Sequence, residues 1–199
     1  YNIRYYFLAG GNDTMDTICR VEKYCKAQGY ELRGLGVPKT VDNDLFATDH
    51  TPGFGSAARY VALSVKQAGV LARDMKKVDQ FVVFQTIGRD AGWLPAAAAL
   101  AKKDPEDAPH IILVPEIPFD FDRFIARAQE VLDTHGFVSV VCGEGIRDKN
   151  GVVVSSLDAY GKEIKKEKTV DKFGNQELGA MAGTSVAVAL HQMLSKNLK

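Results

Sequence analysis

The segment QFVVFQTIGRDAGWLPAAAALAKK, residues 80–103, places a strand, a turn and a helix in immediate succession. QFVVF is short and apolar without alternation, the pattern of a strand buried on both faces of a parallel sheet. AGWLPAAAALAKK reads as a helix in which Pro95 is tolerable only near the start. Between them, QTIGRDAGW sets a glycine and an arginine at the point where the strand ends.

Outward from this unit the same succession recurs. Residues 3–8 read as a strand, and TMDTICRVEKYCKAQ, residues 14–28, as a helix with Ile18, Val21 and Cys25 on one face. YELRGLGV is a second strand. FGSAARYVALSVKQAGVLARDM, residues 54–75, is a long helix with a stripe of Ala58, Val61, Ala62 and Val65. HIILV and FVSVVC are further buried strands, separated by a helix over residues 120–134, and ELGAMAGTSVAVALHQML is the last helix. The polar, poorly periodic residues 144–175 read as a surface loop or small hairpin excursion. Strands alternating with helices predict an α/β fold, a layered αβα arrangement with a mainly parallel sheet. There is no internal repeat and no low-complexity tract.

The 199 residues suffice to bury a substantial core, and 46% hydrophobic with 25% charged is ordinary for a globular chain. Lys plus Arg equals Asp plus Glu at 25 each, so the net charge is zero and points to neither nucleic acid nor membrane as a partner. Any anion site must be a local cluster. The three cysteines, Cys19, Cys25 and Cys142, are odd in number and form no C-x-x-C pair, which argues against a disulfide framework. Cys19 and Cys25 fall in a helical pattern and are expected to be buried thiols in a reducing, cytoplasmic setting. The chain opens close to a strand and without methionine, as a processed or truncated piece would.

In parallel α/β sheets, ligands collect at the carboxyl ends of strands. After the first strand, AGGNDTMDT offers Gly10 and Gly11 for close backbone approach and a helix N-terminus near Thr14, a possible phosphate cradle. A plain strand-to-helix turn capped by Asn12, Asp13 or Thr14 has the same residues. After the second strand, GVPKTVDNDL places Lys39 just ahead of Asp42 and Asp44, which would point the same way on an extended chain. One carboxylate could act as a base and the other hold a metal, with the lysine steadying phosphoryl oxygens; a solvated acidic turn is the alternative. After the third, Gly88 and Arg89 suit bidentate phosphate recognition, or a surface arginine at a helix start. CGEGI puts Glu144 between two glycines, where a carboxylate can accept sugar hydroxyls. Four polar sites at four strand ends predict one crevice for a phosphorylated small molecule.

GVPKTVDNDL, TPGFGSAAR, IGRDAGWL, LVPEIPF and CGEGI, in this order, resemble the 6-phosphofructokinase family over nearly the whole chain, and its pyrophosphate-dependent branch in particular. The resemblance implies a phosphofructokinase-like fold, incomplete here, with residues 1–85 on the donor side and 86–199 on the sugar-phosphate side. It implies transfer of a phosphoryl group from pyrophosphate to the 1-hydroxyl of fructose 6-phosphate with Mg²⁺, and a homo-oligomer, dimer or tetramer, at full length. By the same resemblance Asp42 is the general base, with Lys39 and Asp13 completing the catalytic set. Thr40, Val41, Asp42, Ile87, Gly88, Arg89 and Glu144 bind the sugar phosphate, with isoleucine at 87 where the family has methionine. Gly10, Gly11 and Thr14 meet the donor phosphate, and Asn12 and Asp44 the metal, although the family usually has aspartate at position 12.

Family members that use ATP often have glycine where Asp13 and Lys39 stand. A carboxylate at 13 would crowd and repel the α-phosphate of ATP, and Lys39 could stabilise the leaving phosphate. Lysine at 39 also occurs in ATP-using relatives, so Asp13 is the more diagnostic. The alternatives are an ATP-dependent 6-phosphofructokinase and a non-catalytic sugar-phosphate-binding regulatory subunit. The later 6-phosphate contacts of the family and its N-terminal Gly-rich loop are missing from this sequence, which therefore resembles a middle piece.

Overall fold

The computed structural model describes residues 1–164, 170 and 184–199. They form two compact units, Tyr1–Gly55 and Ser56–Lys199. The division near residue 85 is an expectation about ligand sides, a different quantity from this boundary between compact units.

The first unit carries β1 (Tyr5–Gly10), α1 (Asn12–Ala27) and β2 (Arg33–Pro38). β1 and β2 pair in parallel, from Tyr5 opposite Arg33 to Gly10 opposite Pro38. Alternate strand residues face opposite ways, so Tyr6, Leu8, Gly34 and Gly36 share one face. α1 packs on it, with the Tyr6 hydroxyl donating to Ile18 O at 2.9 Å. The glycines of R-G-L-G-V let the helix come close. A Cβ on Gly34 would lie 2.6 Å from Ile18 Cγ2, and one on Gly36 2.3 Å from Met15 Sδ. Tyr5, Phe7, Leu35 and Val37 on the other face are exposed. Cys19 is exposed as well and Cys25 half-buried, because the helix faces β2 through Ile18 and turns Cys19 about 100° away. The expectation of two buried thiols is corrected for Cys19.

The second unit continues α2 (Phe54–Asp74) and adds β3 (Phe81–Thr86), α3 (Trp93–Ala97), β4 (Ile111–Leu113), α4 (Phe121–His135), β5 (Val138–Gly143) and α5 (Val186–Asn197). The sheet order is β3-β5-β4, with both pairings parallel. β5 is the central strand and every residue in it is buried. Its alternation divides the core. Val138, Val140 and Cys142 pack with α4 and α5, through Phe124, Ala128, Val131, Leu190, Met193 and Leu194. Val141 packs the other way, against Val61 and Val65 of α2 and Ala98 and Ala101 beyond α3. The αβα layering is thus present in this unit, and the parallel strands among the described residues lie in two sheets rather than one. Burial pushes the Cys142 thiol up to about 12, so it is inert as a nucleophile.

Helix limits follow local chemistry. Asp120 caps α4 by accepting from Arg123 N at 2.9 Å, and Gly136 ends it in the left-handed region at φ 79°. Pro95 lies in the first turn of α3, after which Ala98–Ala101 tightens into a 3₁₀ turn, so the expected helix over residues 91–103 is broken in two. α5 starts at Val186 behind the Ser185 cap, and Gln85 Oε1 accepts from both Ser185 Oγ and Ala187 N. The expected start of that helix near residue 177 lies outside the described residues. The polar stretch after β5 is not a surface excursion throughout. Ile146, Val153, Val154 and Leu157 are buried in the core, and Asp148 closes a hairpin turn by accepting from Asn150 N and Val152 N.

His110 precedes β4. Its Nδ1 accepts from Ser139 N at 3.0 Å, and the ring stacks on His135 at 5.2 Å and meets Phe137 edge-on at 4.8 Å. Burial lowers its pKa to about 4, outweighing the Glu106 carbonyl at Nε2. The folded state therefore favours the neutral ring, and the unfolded chain takes up the proton first. Stability from this group is full above the unfolded value of 6.5 and is lost as the pH falls through that value toward 4. Urea midpoints measured from pH 7.5 to 4 should fall along this limb. The His110→Gln variant should start lower and show a flatter limb; an identical slope would remove His110 from the account.

Candidate active site

The β1–β2 ladder runs one step beyond the strands, with Lys39 N donating to Gly10 O at 2.7 Å. This bond ties the GGND turn to the PKTVDND loop. α1 begins at Asn12 with Gly11 as its cap residue, and no side chain caps it. The capped turn expected as the alternative is therefore not formed, and the first-turn amide groups and the positive dipole end are presented beside residues 39–44. Asp13 stands half-buried in that first turn, Thr14 beside it, while Asn12 and Lys39 are exposed.

Residues 39–44 do not form an extended chain, contrary to the expectation that spaced Asp42 and Asp44. Asn43 adopts the left-handed region at φ 58°, so strand alternation does not govern the two carboxylates. Thr40 Oγ1 accepts from Asp42 N at 3.2 Å, which assigns the Thr40 hydroxyl to the turn. Asn43 is 4% exposed and Thr51 is fully buried. Asn43 Oδ1 accepts from Thr51 N at 2.9 Å and Thr51 Oγ1 at 3.2 Å, and its Nδ2 donates to Asp49 O at 3.3 Å. One side chain thus closes the loop from 43 to 51.

Asn12 and Asp44, both expected at the metal, do meet: Asn12 Nδ2 donates to Asp44 Oδ2 at 2.9 Å. Asp44 Oδ1 is buried and has no hydrogen-bond partner among the described residues. An orphaned buried carboxylate oxygen suits a hard cation such as Mg²⁺, to which Asn12 could add only its Oδ1, since its Nδ2 is spent on Asp44. Two protein ligands do not complete a shell, and among the described residues no three His, Cys, Asp or Glu cluster as a metal site. Such a pair fits a Mg²⁺ that keeps waters and substrate phosphate oxygens as its remaining ligands.

In the second unit the β3–β5 ladder is also extended by one bond, Glu144 N to Thr86 O at 3.2 Å. The Glu144 carboxylate then turns back on the IGR turn. Its Oε1 accepts from Gly88 N at 3.2 Å and Arg89 N at 3.1 Å. Gly88 has φ 133° and Arg89 φ 46°, a strained pair that the carboxylate holds in place. Gly145 is required here, since a Cβ on it would lie 1.9 Å from Arg89 O. Ile87 and the Arg89 side chain are exposed beside the turn.

Val41 and Asp42 are half-buried in the first cluster. The structure therefore groups residues 10–14 with 39–44 in one unit and residues 87–89 with 144 in the other. Sequence reasoning missed Asn43, Thr51, Gly145 and Glu116. The last accepts Gly92 N at 2.7 Å and so steadies the start of α3. A signal existed for Asn43, because asparagine is among the few residues that visit the left-handed region readily.

The Phosphofructokinase family model matches residues 1–197. The pyrophosphate–fructose 6-phosphate 1-phosphotransferase of Xanthomonas campestris pv. campestris (strain B100) is 44% identical over 183 residues, 92% of this chain and 42% of its own length. That of Rhodospirillum rubrum is 39% identical over 191 residues, 94% of this chain and 45% of its own. The crystal structure of a pyrophosphate-dependent phosphofructokinase from Nitrosospira multiformis superposes with a TM-score of 0.73 at 32% identity, covering 98% of this chain and 42% of that one. The chain spans less than half the length of these relatives. With its two strand-end clusters and a family match over residues 1–197, it belongs to the phosphofructokinase family.

Proposed function

We propose that the protein transfers a phosphoryl group from pyrophosphate to the 1-hydroxyl of fructose 6-phosphate, reversibly, giving fructose 1,6-bisphosphate and phosphate. The observation that carries the donor assignment is Asp13, half-buried in the first turn of α1 at an uncapped helix N-terminus. A nucleotide seated there would bring its α-phosphate against that carboxylate, at a cost of about 4 kcal/mol for unit charges at 4 Å and intermediate dielectric. Inorganic pyrophosphate has no α-phosphate. The printed names of the relatives from Xanthomonas campestris and Rhodospirillum rubrum support the same donor and acceptor.

In this reading the Asp42 carboxylate takes the proton of the sugar 1-hydroxyl as its oxygen forms the bond to phosphorus, and the bridging P–O bond breaks to release phosphate. The amide groups of Gly11, Asn12 and Asp13, with Thr14 and the preceding Gly10, receive the pyrophosphate, and Lys39 steadies the leaving phosphate. Asn12 and Asp44 would hold Mg²⁺, which when bound neutralises phosphate charge. Glu144 Oε1 is engaged by the turn amides, so its Oε2 is the acceptor for sugar hydroxyls. Thr40, Val41, Ile87, Gly88 and Arg89 complete the sugar-phosphate contacts. In this reading residues to about 85, apart from Thr40, Val41 and Asp42, serve the donor, and residues from about 86 the sugar phosphate. The same reading makes the intact protein a cytoplasmic homo-oligomer; among the described residues no helix is long and apolar enough to cross a membrane.

The intact gene product, assayed with each donor, should turn over fructose 6-phosphate with pyrophosphate and hardly at all with ATP; a clear preference for ATP would reject the donor assignment. Asp13→Gly should open the site to ATP, read as a rise in ATP-dependent kcat/KM. Asp42→Ala should lower kcat by roughly 10²- to 10⁴-fold, the usual range for a general base, with unchanged circular dichroism. Near-normal turnover in that variant would dismiss the base.

A further inference from the structure

We infer that Asn43 is a positioning residue that sets the direction of the Asp42 carboxylate; this rests on the phosphotransfer reading above. Asp42 is held on both sides. Its own N–H donates to Thr40 Oγ1 at 3.2 Å, and the residue that follows it is the buried, left-handed Asn43. The Asn43 side chain is turned away from solvent, being 4% exposed with both its oxygen and its nitrogen engaged by residues 49–51. Besides closing the loop to Thr51, its geometry fixes the chain direction between Asp42 and Asp44. The second carboxylate registers the same constraint, since Asp44 is delivered to Asn12 Nδ2 at 2.9 Å. A left-handed non-glycine residue is uncommon and persists where surrounding contacts hold it, often at functional sites. Asparagine meets both demands here: it tolerates the backbone, and its amide reaches across eight residues to Thr51.

The test separates positioning from stability. Asn43→Gly keeps the backbone conformation and removes all three anchors. In the intact protein it should lower kcat by about 10²-fold, the scale of an ångström misplacement. KM for fructose 6-phosphate should stay within about threefold, because the change falls on a transition-state contact. The decisive readout is a double-mutant cycle with Asp42→Ala, followed by product accumulation over long incubation. If Asn43 acts through Asp42, adding Asn43→Gly to Asp42→Ala costs no further activity. An equal factor in both backgrounds, or a lowered melting temperature with kcat unchanged, would overturn the inference. Should Asn43→Gly fail to fold, Thr51→Val takes its place in the cycle, removing the hydroxyl anchor on Asn43 Oδ1, with a smaller loss of kcat that again disappears on top of Asp42→Ala. The cycle is run with whichever donor is turned over, so failure of the pyrophosphate assignment leaves it intact. If neither donor is turned over, the phosphotransfer reading fails. The crystal structure of Asn43→Gly then decides the local claim, a displaced Asp42 side chain supporting it and an unmoved one rejecting it.

Discussion

Two hydrogen bonds, Lys39 N to Gly10 O and Glu144 N to Thr86 O, each extend a parallel ladder one residue past its last paired position. Parallel strands run in the same direction, so both strands of a pair end at the same edge and the loops that leave them start side by side. The added bond holds those loops together for one more residue. In the first unit it puts the uncapped start of α1 against residues 39–44. In the second it brings the carboxylate of Glu144 to the amides of Gly88 and Arg89. Every functional assignment above depends on these two loop pairs, and both are consequences of register.

Beyond the ladder, each cluster holds a strained backbone with a buried or half-buried polar side chain. Asn43 and Arg89 are two of only three non-glycine residues with positive φ among those described. Each is fixed by hydrogen bonds from a side chain: Asn43 by its own amide, Arg89 by Glu144. Strain of this kind is of the order of 1–3 kcal/mol per residue and is retained only when neighbouring contacts determine the geometry. The glycine at 145 belongs to the same device, because no side chain fits beside the Arg89 carbonyl. The Asp44 Oδ1 is the complementary feature, a buried acceptor without a hydrogen-bond partner among the described residues.

Much of this was legible beforehand. The stripe Ala58, Val61, Ala62 and Val65 is buried as its spacing demands. The run FVSVVC is the fully buried central strand, and the helix after Asp120 starts at its cap. Helical and strand periodicity report burial directly, so these elements needed no partner to be recognised. Periodicity alone does not place Cys19, because a helix face is selected against a particular sheet, and the glycines of β2 admit the face of Ile18 and Met15. The stretch after β5 reads as surface because its turns are polar, while its apolar side chains enter the core through contacts distant in sequence.

The sequence by itself determined the order of elements, their parallel class, and the strand-end residues that could handle a phosphorylated sugar. It did so because periodicity, capping and turn chemistry are properties of short segments. Tertiary structure alone decided that Asp42 and Asp44 are separated by a left-handed turn, that Asn12 bonds Asp44, and that Glu144 spends one oxygen on the IGR turn. The first depends on the Asn43 side chain reaching Thr51, and the other two on contacts across 32 and 56 positions of chain, which local preference does not encode and the packed ladder brings within hydrogen-bond distance.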